Sequence, residues 1–346
     1  MEVLRQAWKR FADYIIRSFT VPSALNWGYP VLFAGLGAVI ALLIRLGVMS
    51  TNVDYSQTSI IGYVLFISIF VILAFIIPTV ILSGRFARYD SQLPSAHIVG
   101  DYTGIGVLIL SFLSGVPLML LKSSIYNIFC YLWLRSGNSI MFPLFFCYTE
   151  DGSIAAIILQ FLAGTVIPAI GMSLFFYGLL WSSVRTKDFK AACIVIPILF
   201  ALFSFNTFDT IGALFCGWWL CILRRNSENI WGPALCLIGC KATELVIGST
   251  IPTVDITVIR TYSDISAKFF YSSAPSLFVA VILFGFFYKV LNEFHLTMTN
   301  DSYGDNLKVL EQERLRDESI PPFINGVNLA LFLGITAAVV IWIVFI

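Results

Sequence analysis

An all-α, polytopic membrane protein is the fold class this sequence predicts, and three observations predict it. Hydrophobic residues fill 58% of the 346 positions and charged residues only 12%, more apolar surface than a soluble interior can hide. Nine apolar runs recur along the chain, each bounded by polar or charged flanks. Lysines and arginines crowd into alternate connections between those runs, as membrane topology requires. The net charge of +1 leaves no basic excess for binding nucleic acid.

Taken in order, residues 1–26 come first as an amphipathic interfacial helix. Leu4, Trp8, Phe11, Tyr14, Ile15 and Phe19 recur at helical spacing among Arg5, Lys9, Arg10 and Arg17. No small-residue cleavage site precedes the first apolar run, so this stretch is not read as a removable signal. The runs follow at 27–49, 59–82, 104–121, 154–181, 191–205, 210–223, 230–247, 276–291 and 325–346. About nine transmembrane helices are therefore expected, the shorter ones little tilted or partly re-entrant. Residues 27–153 hold the first three and an outer loop, 154–250 a core of four, and 251–346 the last two. Between the last two, 292–322 is the one soluble-looking stretch, with a short charged helix at LKVLEQERLRDE. The segments 122–151 and 251–275 read as outer loops, each carrying an aromatic block: Tyr126 to Trp133 in one, Phe269 to Tyr271 in the other.

Arg85 and Arg88, Arg185 to Lys190, Arg224 and Arg225, and Lys289 to Arg316 mark one side together with the N-terminus. The other side holds chiefly Lys122, Arg135, Arg260 and Lys268. This pattern predicts a cytoplasmic N-terminus and an external C-terminus, with a bacterial inner membrane as the expected location.

Five of the seven cysteines, Cys193, Cys216, Cys221, Cys236 and Cys240, sit in apolar runs, where a thiol packs as a small residue. Cys130 and Cys147 can pair if their segment faces an oxidising compartment. Pro168 and Pro197 predict helix kinks, and Gly35 and Gly37 permit close helix contact. Arg45 is expected to reach the headgroups. Charge inside an apolar run is rare, and Lys241 and Glu244 lie three apart, within reach of each other on one helix face. Two readings stay open. They form a neutralised pair, joined or not by Asp209, that pins the core helices. Alternatively Ser204, Asn206, Asp209, Lys241 and Glu244 gather in a polar pocket for a substrate or a partner's helix.

The order of landmarks carries a family resemblance. Phe200-Ala201-Leu202-Phe203-Ser204-Phe205-Asn206 is followed by Gly212, Gly217 and Arg224–Arg225, then by Asn226-Ser227 and Trp231-Gly232-Pro233. Leu174 to Leu180 lies upstream. Over residues 155–248 this resembles the CPBP family of CAAX proteases and bacteriocin-processing intramembrane proteases. The resemblance implies a glutamate that activates water, a neighbouring glutamate and an arginine that orient or stabilise it, and two histidines and an asparagine that bind the oxyanion. The glutamates fall on Met172 and Ser173, the arginine on Tyr177, the histidines on Ser204 and Leu237, and the asparagine on Lys241. All six positions depart from the pattern. The chain has two histidines, His97 and His295, both in connections, and no adjacent glutamates. The expectation is a non-catalytic family member without metal or cofactor. It would bind a membrane partner, another protein's transmembrane helix or a lipid-modified peptide, within a larger complex. The alternative is an intramembrane endopeptidase with a rearranged set such as Glu244, Asp209 and Ser204.

Overall fold

The structure, a computed structural model, describes residues 28–50, 60–89, 99–100, 104–138, 154–184, 189–206, 208–247, 251, 253–254, 266–301 and 329–345. The expected N-terminal interfacial helix, the charged helix near 308–319 and Cys147 lie outside these residues. Among the described residues helix covers all nine apolar runs and no strand forms. We label the helices α1 (Gly28–Ser50), α2 (60–89), α3 (Ile105–Arg135), α4 (154–184), α5 (Phe189–Leu202), α6 (Thr210–Ser227), α7 (Trp231–Ile247), α8 (Lys268–Asp301) and α9 (Leu329–Phe345). Stretches of α1, α2, α3, α4 and α8 are long and apolar enough to cross a bilayer, and α5 and α9 hold shorter apolar stretches.

Several predicted boundaries move; α2 runs on to Tyr89, and α8 runs on to Asp301, which makes His295 helical rather than part of a connection. The third run was expected to end at Leu121, yet α3 continues to Arg135, so Lys122 and the Tyr126–Trp133 block are helical rather than loop. The block is held by Phe208, whose ring lies 5.8 Å from Phe129 and 6.0 Å from Trp133. Likewise α8 begins at Lys268, which takes Phe269 to Tyr271 out of the predicted loop.

Lipid tails are as apolar as leucine, so helices in a bilayer associate through close packing rather than through hydrophobic burial. Glycines supply the closeness here. Gly35 abuts Gly334, joining α1 to α9, and Gly37 abuts the backbone of Leu73 in α2. Gly115 and Gly239 let α3 and α7 touch backbone to backbone, at Cys240 and Phe112 respectively. Gly217 of α6 rests on Pro197 of α5. Beside the Gly115 contact, Ser114 breaks α3, accepts from Trp219 Nε1 at 3.2 Å and faces the Cys236 thiol at 3.3 Å.

Aromatic rings fill the middle. Phe75 of α2 meets Phe175 and Phe176 of α4 at 5.4 and 5.5 Å, and Phe176 meets Phe200 of α5 at 5.3 Å. The kink at Pro168 takes a specific form: a π-helical turn, Leu162–Val166, ends two residues before it. The same device, Ile72–Ile76, precedes Pro78 in α2. A wide turn absorbs the hydrogen bond that proline cannot make. Arg45 holds its guanidinium 4.6 Å over the Phe66 ring. At one end of the bundle Ile230 N–H donates to Val99 O at 2.9 Å, joining two connections that the lysine and arginine pattern assigns to one side.

Close packing at Gly239 makes a direct prediction. Gly239→Ala drives a methyl into the Phe112 carbonyl and should cost about 1–3 kcal/mol by overpacking. Gly285→Ala, with open space around it, should be neutral or gain up to about 1 kcal/mol of helix propensity. Thermal unfolding midpoints in detergent separate the two.

Candidate functional site

Helices α2 to α7 enclose a cavity of about 320 Å³, at the lower end of the range for small-ligand sites. Part of its lining is apolar: Phe70, Met172, Phe176, Phe200, Phe203 and Leu237. The rest is polar: Lys122, Ser123, Thr165, Ser204, Asp209, Lys241 and Glu244. The two parts are segregated by helix direction. Along α5 and α7 the apolar Phe200 and Leu237 precede Ser204 and Lys241, whereas along α4 the polar Thr165 precedes Met172 and Phe176. In the alternation that the lysine and arginine pattern predicts, α4 runs opposite to both α5 and α7. All three thus bring their polar residues to the same end.

Two ion pairs occupy that end. Lys122 Nζ of α3 meets Asp209 Oδ2 at 2.8 Å, with side chains 31% and 21% exposed. Lys241 Nζ meets Glu244 Oε2 at 2.6 Å within α7, with side chains 49% and 50% exposed. The expected contact of Lys241 with Glu244 is therefore present, but it joins one helix to itself and pins nothing. Asp209 pairs instead with Lys122, which the sequence reading placed in a loop. That pair ties α3 to the start of α6. Asp209 stands at the N-cap of α6 yet makes no capping bond with its side chain; its carboxylate is turned to Lys122. Gly212 leaves the room, since a Cβ there would come within 2.8 Å of Asp209 Oδ1.

The turn that delivers Asp209 is strained. Phe205 adopts φ +46°, a conformation uncommon for a residue with a side chain. Its ring is clamped among Phe70 at 5.9 Å, Phe203 at 5.8 Å and Trp342 at 6.3 Å. Trp342 Nε1 also donates to the Leu202 carbonyl at 2.7 Å, closing the end of α5.

The remaining sequence candidates divide between cavity and core. Met172, Ser204, Leu237 and Lys241 line the cavity together with Asp209 and Glu244. Asn206 does not line it; its Oδ1 accepts from Phe208 N–H at 3.1 Å and shapes the turn. Ser173 and Tyr177 are fully buried in the core. Tyr177 donates its hydroxyl to the Gly217 carbonyl at 3.2 Å, and Arg224 Nε donates to the Tyr177 carbonyl at 2.7 Å. That carbonyl lies in the π-helical Ser173–Leu180 segment, where the wide turn disturbs the usual carbonyl pairing. Arg224 is buried accordingly, while Arg225 is exposed. Ser204 Oγ donates to the Ala201 carbonyl at 2.8 Å. Residues missed from the sequence are Lys122, Thr165, Cys216 and Cys240, all of which line the cavity. Extending the third span through the apolar Ile125–Leu134 stretch would have exposed Lys122 as a charge within a membrane helix.

Residues 154–243 match the family model described as type II CAAX prenyl endopeptidase Rce1-like. The match spans 90 of the chain's 346 residues. It runs from the first residue of α4 to the last turns of α7, the stretch in which the landmarks of the sequence lie. With five helices of bilayer length among the described residues, the chain is an integral membrane protein. No curated protein and no solved structure matches it.

The two ion pairs should respond differently to substitution. Lys122→Met leaves the half-buried Asp209 without its counter-charge and should cost about 1–3 kcal/mol, between an exposed and a buried pair. Lys122→Met combined with Asp209→Leu should recover most of that loss. Lys241→Met should cost less than about 1 kcal/mol, as for an exposed pair. Unfolding midpoints of the three variants decide this, and equal losses for both lysines would contradict the assignment.

Proposed function

We propose that this CAAX-protease-like protein is a non-catalytic binding subunit that holds part of a membrane partner in the α2–α7 cavity. The partner class is another protein's transmembrane helix or a lipid-modified peptide, within a larger assembly. One observation carries the reading. Met172 and Leu237 line the cavity where the resemblance calls for a glutamate and a histidine, which places a thioether and an isobutyl group where water would have to be polarised. No histidine lines the cavity among the described residues. A specific observation favours the second reading, an endopeptidase with a rearranged site: Asp209, Glu244 and Ser204 share one cavity. Against it, both carboxylates are engaged by lysines, and the Ser204 proton goes to a backbone carbonyl rather than to a base.

The alternation of lysine and arginine supports a cytoplasmic N-terminus and an external C-terminus. The likeness to a family that includes bacteriocin-processing proteases supports a bacterial inner membrane.

A photo-crosslinking amino acid at Leu237, inside the cavity, should capture one defined membrane protein or lipidated peptide in cells. The same group at Phe286, a lipid-facing position 57% exposed, should not. The Leu237 adduct should vanish in the Lys122→Met/Asp209→Leu background. Equal adducts from both positions, or a partner recovered cut at one peptide bond, would overturn the proposal. An accessible tag at the C-terminus of intact cells and a shielded one at the N-terminus are expected.

A further inference from the structure

We propose that the polar end of the cavity takes the head group of a zwitterionic phospholipid, one bearing both a phosphate and a primary ammonium. This rests on the reading of the cavity as a binding site and adds the chemistry of an occupant. Lys122, Asp209, Lys241 and Glu244 bring two positive and two negative groups to one small chamber, and their sum is zero. Within a bilayer an uncompensated charge is expensive, and removing one partner of a buried pair leaves the other stranded. A ligand that competes for these groups must therefore return to each what it takes away. A lone anion satisfies the lysines but adds net negative charge and strands the carboxylates. A lone cation does the opposite. A head group with one anion and one cation can meet a lysine and a carboxylate together and leave the chamber neutral. A phosphate accepts several hydrogen bonds from ammonium groups, and a primary ammonium donates to carboxylates.

Accessibility and surroundings identify the source as a lipid. The Lys241–Glu244 pair is half-exposed, so it marks the mouth. Next to it on α7, Leu245 and Val246 are 57% and 77% exposed, and Leu162 of α4, beside the lining residues Gly164 and Thr165, is 49% exposed. The mouth is thus framed by side chains that face lipid. Inward from the charges the lining turns aromatic at Phe176 and Phe200, a surface suited to an acyl chain. At about 320 Å³ the chamber takes a head group and the start of a chain, not a whole lipid.

The full chain is reconstituted in nanodiscs of equal phosphatidylethanolamine and phosphatidylglycerol, released into mild detergent, and its bound lipids are counted by native mass spectrometry. One ethanolamine lipid per chain, enriched at least tenfold over the glycerol lipid, is expected. Lys122→Met/Asp209→Leu keeps the net charge and should return the ratio to that of the bulk. Lys241→Met/Glu244→Leu, at the half-exposed mouth where folding depends least on the pair, should lower retention as well. Preferential retention of the anionic lipid, or enrichment unchanged in both double variants, would overturn the inference. So would displacement of the lipid by soluble phosphoethanolamine alone, which would assign the site to a water-borne zwitterion. A peptide adduct at Leu237 with no lipid retained sinks this inference and leaves the partner reading intact; lipid retained with no protein or peptide adduct does the reverse.

Discussion

The ion pair between Lys122 and Asp209 is the contact on which the rest of the cavity depends. Lys122 sits thirteen residues before Arg135, the end of α3, about 20 Å along a helix rising 1.5 Å per residue. A lysine at that depth needs a counter-charge. Asp209 supplies it by giving up the capping role that its position at the start of α6 offers. Everything that brings Asp209 there follows: the left-handed Phe205, the ring clamp that holds it, the tryptophan that closes α5, and a glycine one turn into α6.

The helices around the pair pack by a different rule. Backbone contact at Gly35, Gly37, Gly115, Gly217 and Gly239 sets the spacing, and π-helical turns before Pro78 and Pro168 absorb the prolines. These devices leave α2 to α7 in close contact with one another and still apart enough at the centre to enclose a chamber. The matched segment supplies four of its six walls, and α2 and α3, outside the matched residues, supply the other two. The lysine that organises the chamber comes from α3, so the site is not contained in the family segment.

Much of this was legible in the sequence. The apolar runs locate all nine long helices of the described residues, because burial in lipid demands long uninterrupted stretches. The landmarks from Phe200 to Pro233 located the family segment, and Lys241 with Glu244 announced an ion pair by spacing alone. Lys122 escaped because Lys122-Ser123-Ser124 interrupts the run and mimics its end. The residue that neutralises it, Asp209, is far away in sequence, where no local pattern can point. The π-helical turns were visible only as prolines, and the positive φ at Phe205 had no glycine to betray it. Tyr177 and Ser173 could be aligned with family positions, but which way they face is a property of the wide turn containing them.

The proposed chamber is neutral and charge-paired, and it binds without activating water. Incubating the purified chain with a lipid-modified peptide in water enriched in oxygen-18 tests it at the chemical step. No cleavage and no heavy oxygen in any peptide carboxyl group is the predicted result. Heavy oxygen entering a new C-terminus, and ceasing to do so in Asp209→Asn or Glu244→Gln, would contradict it.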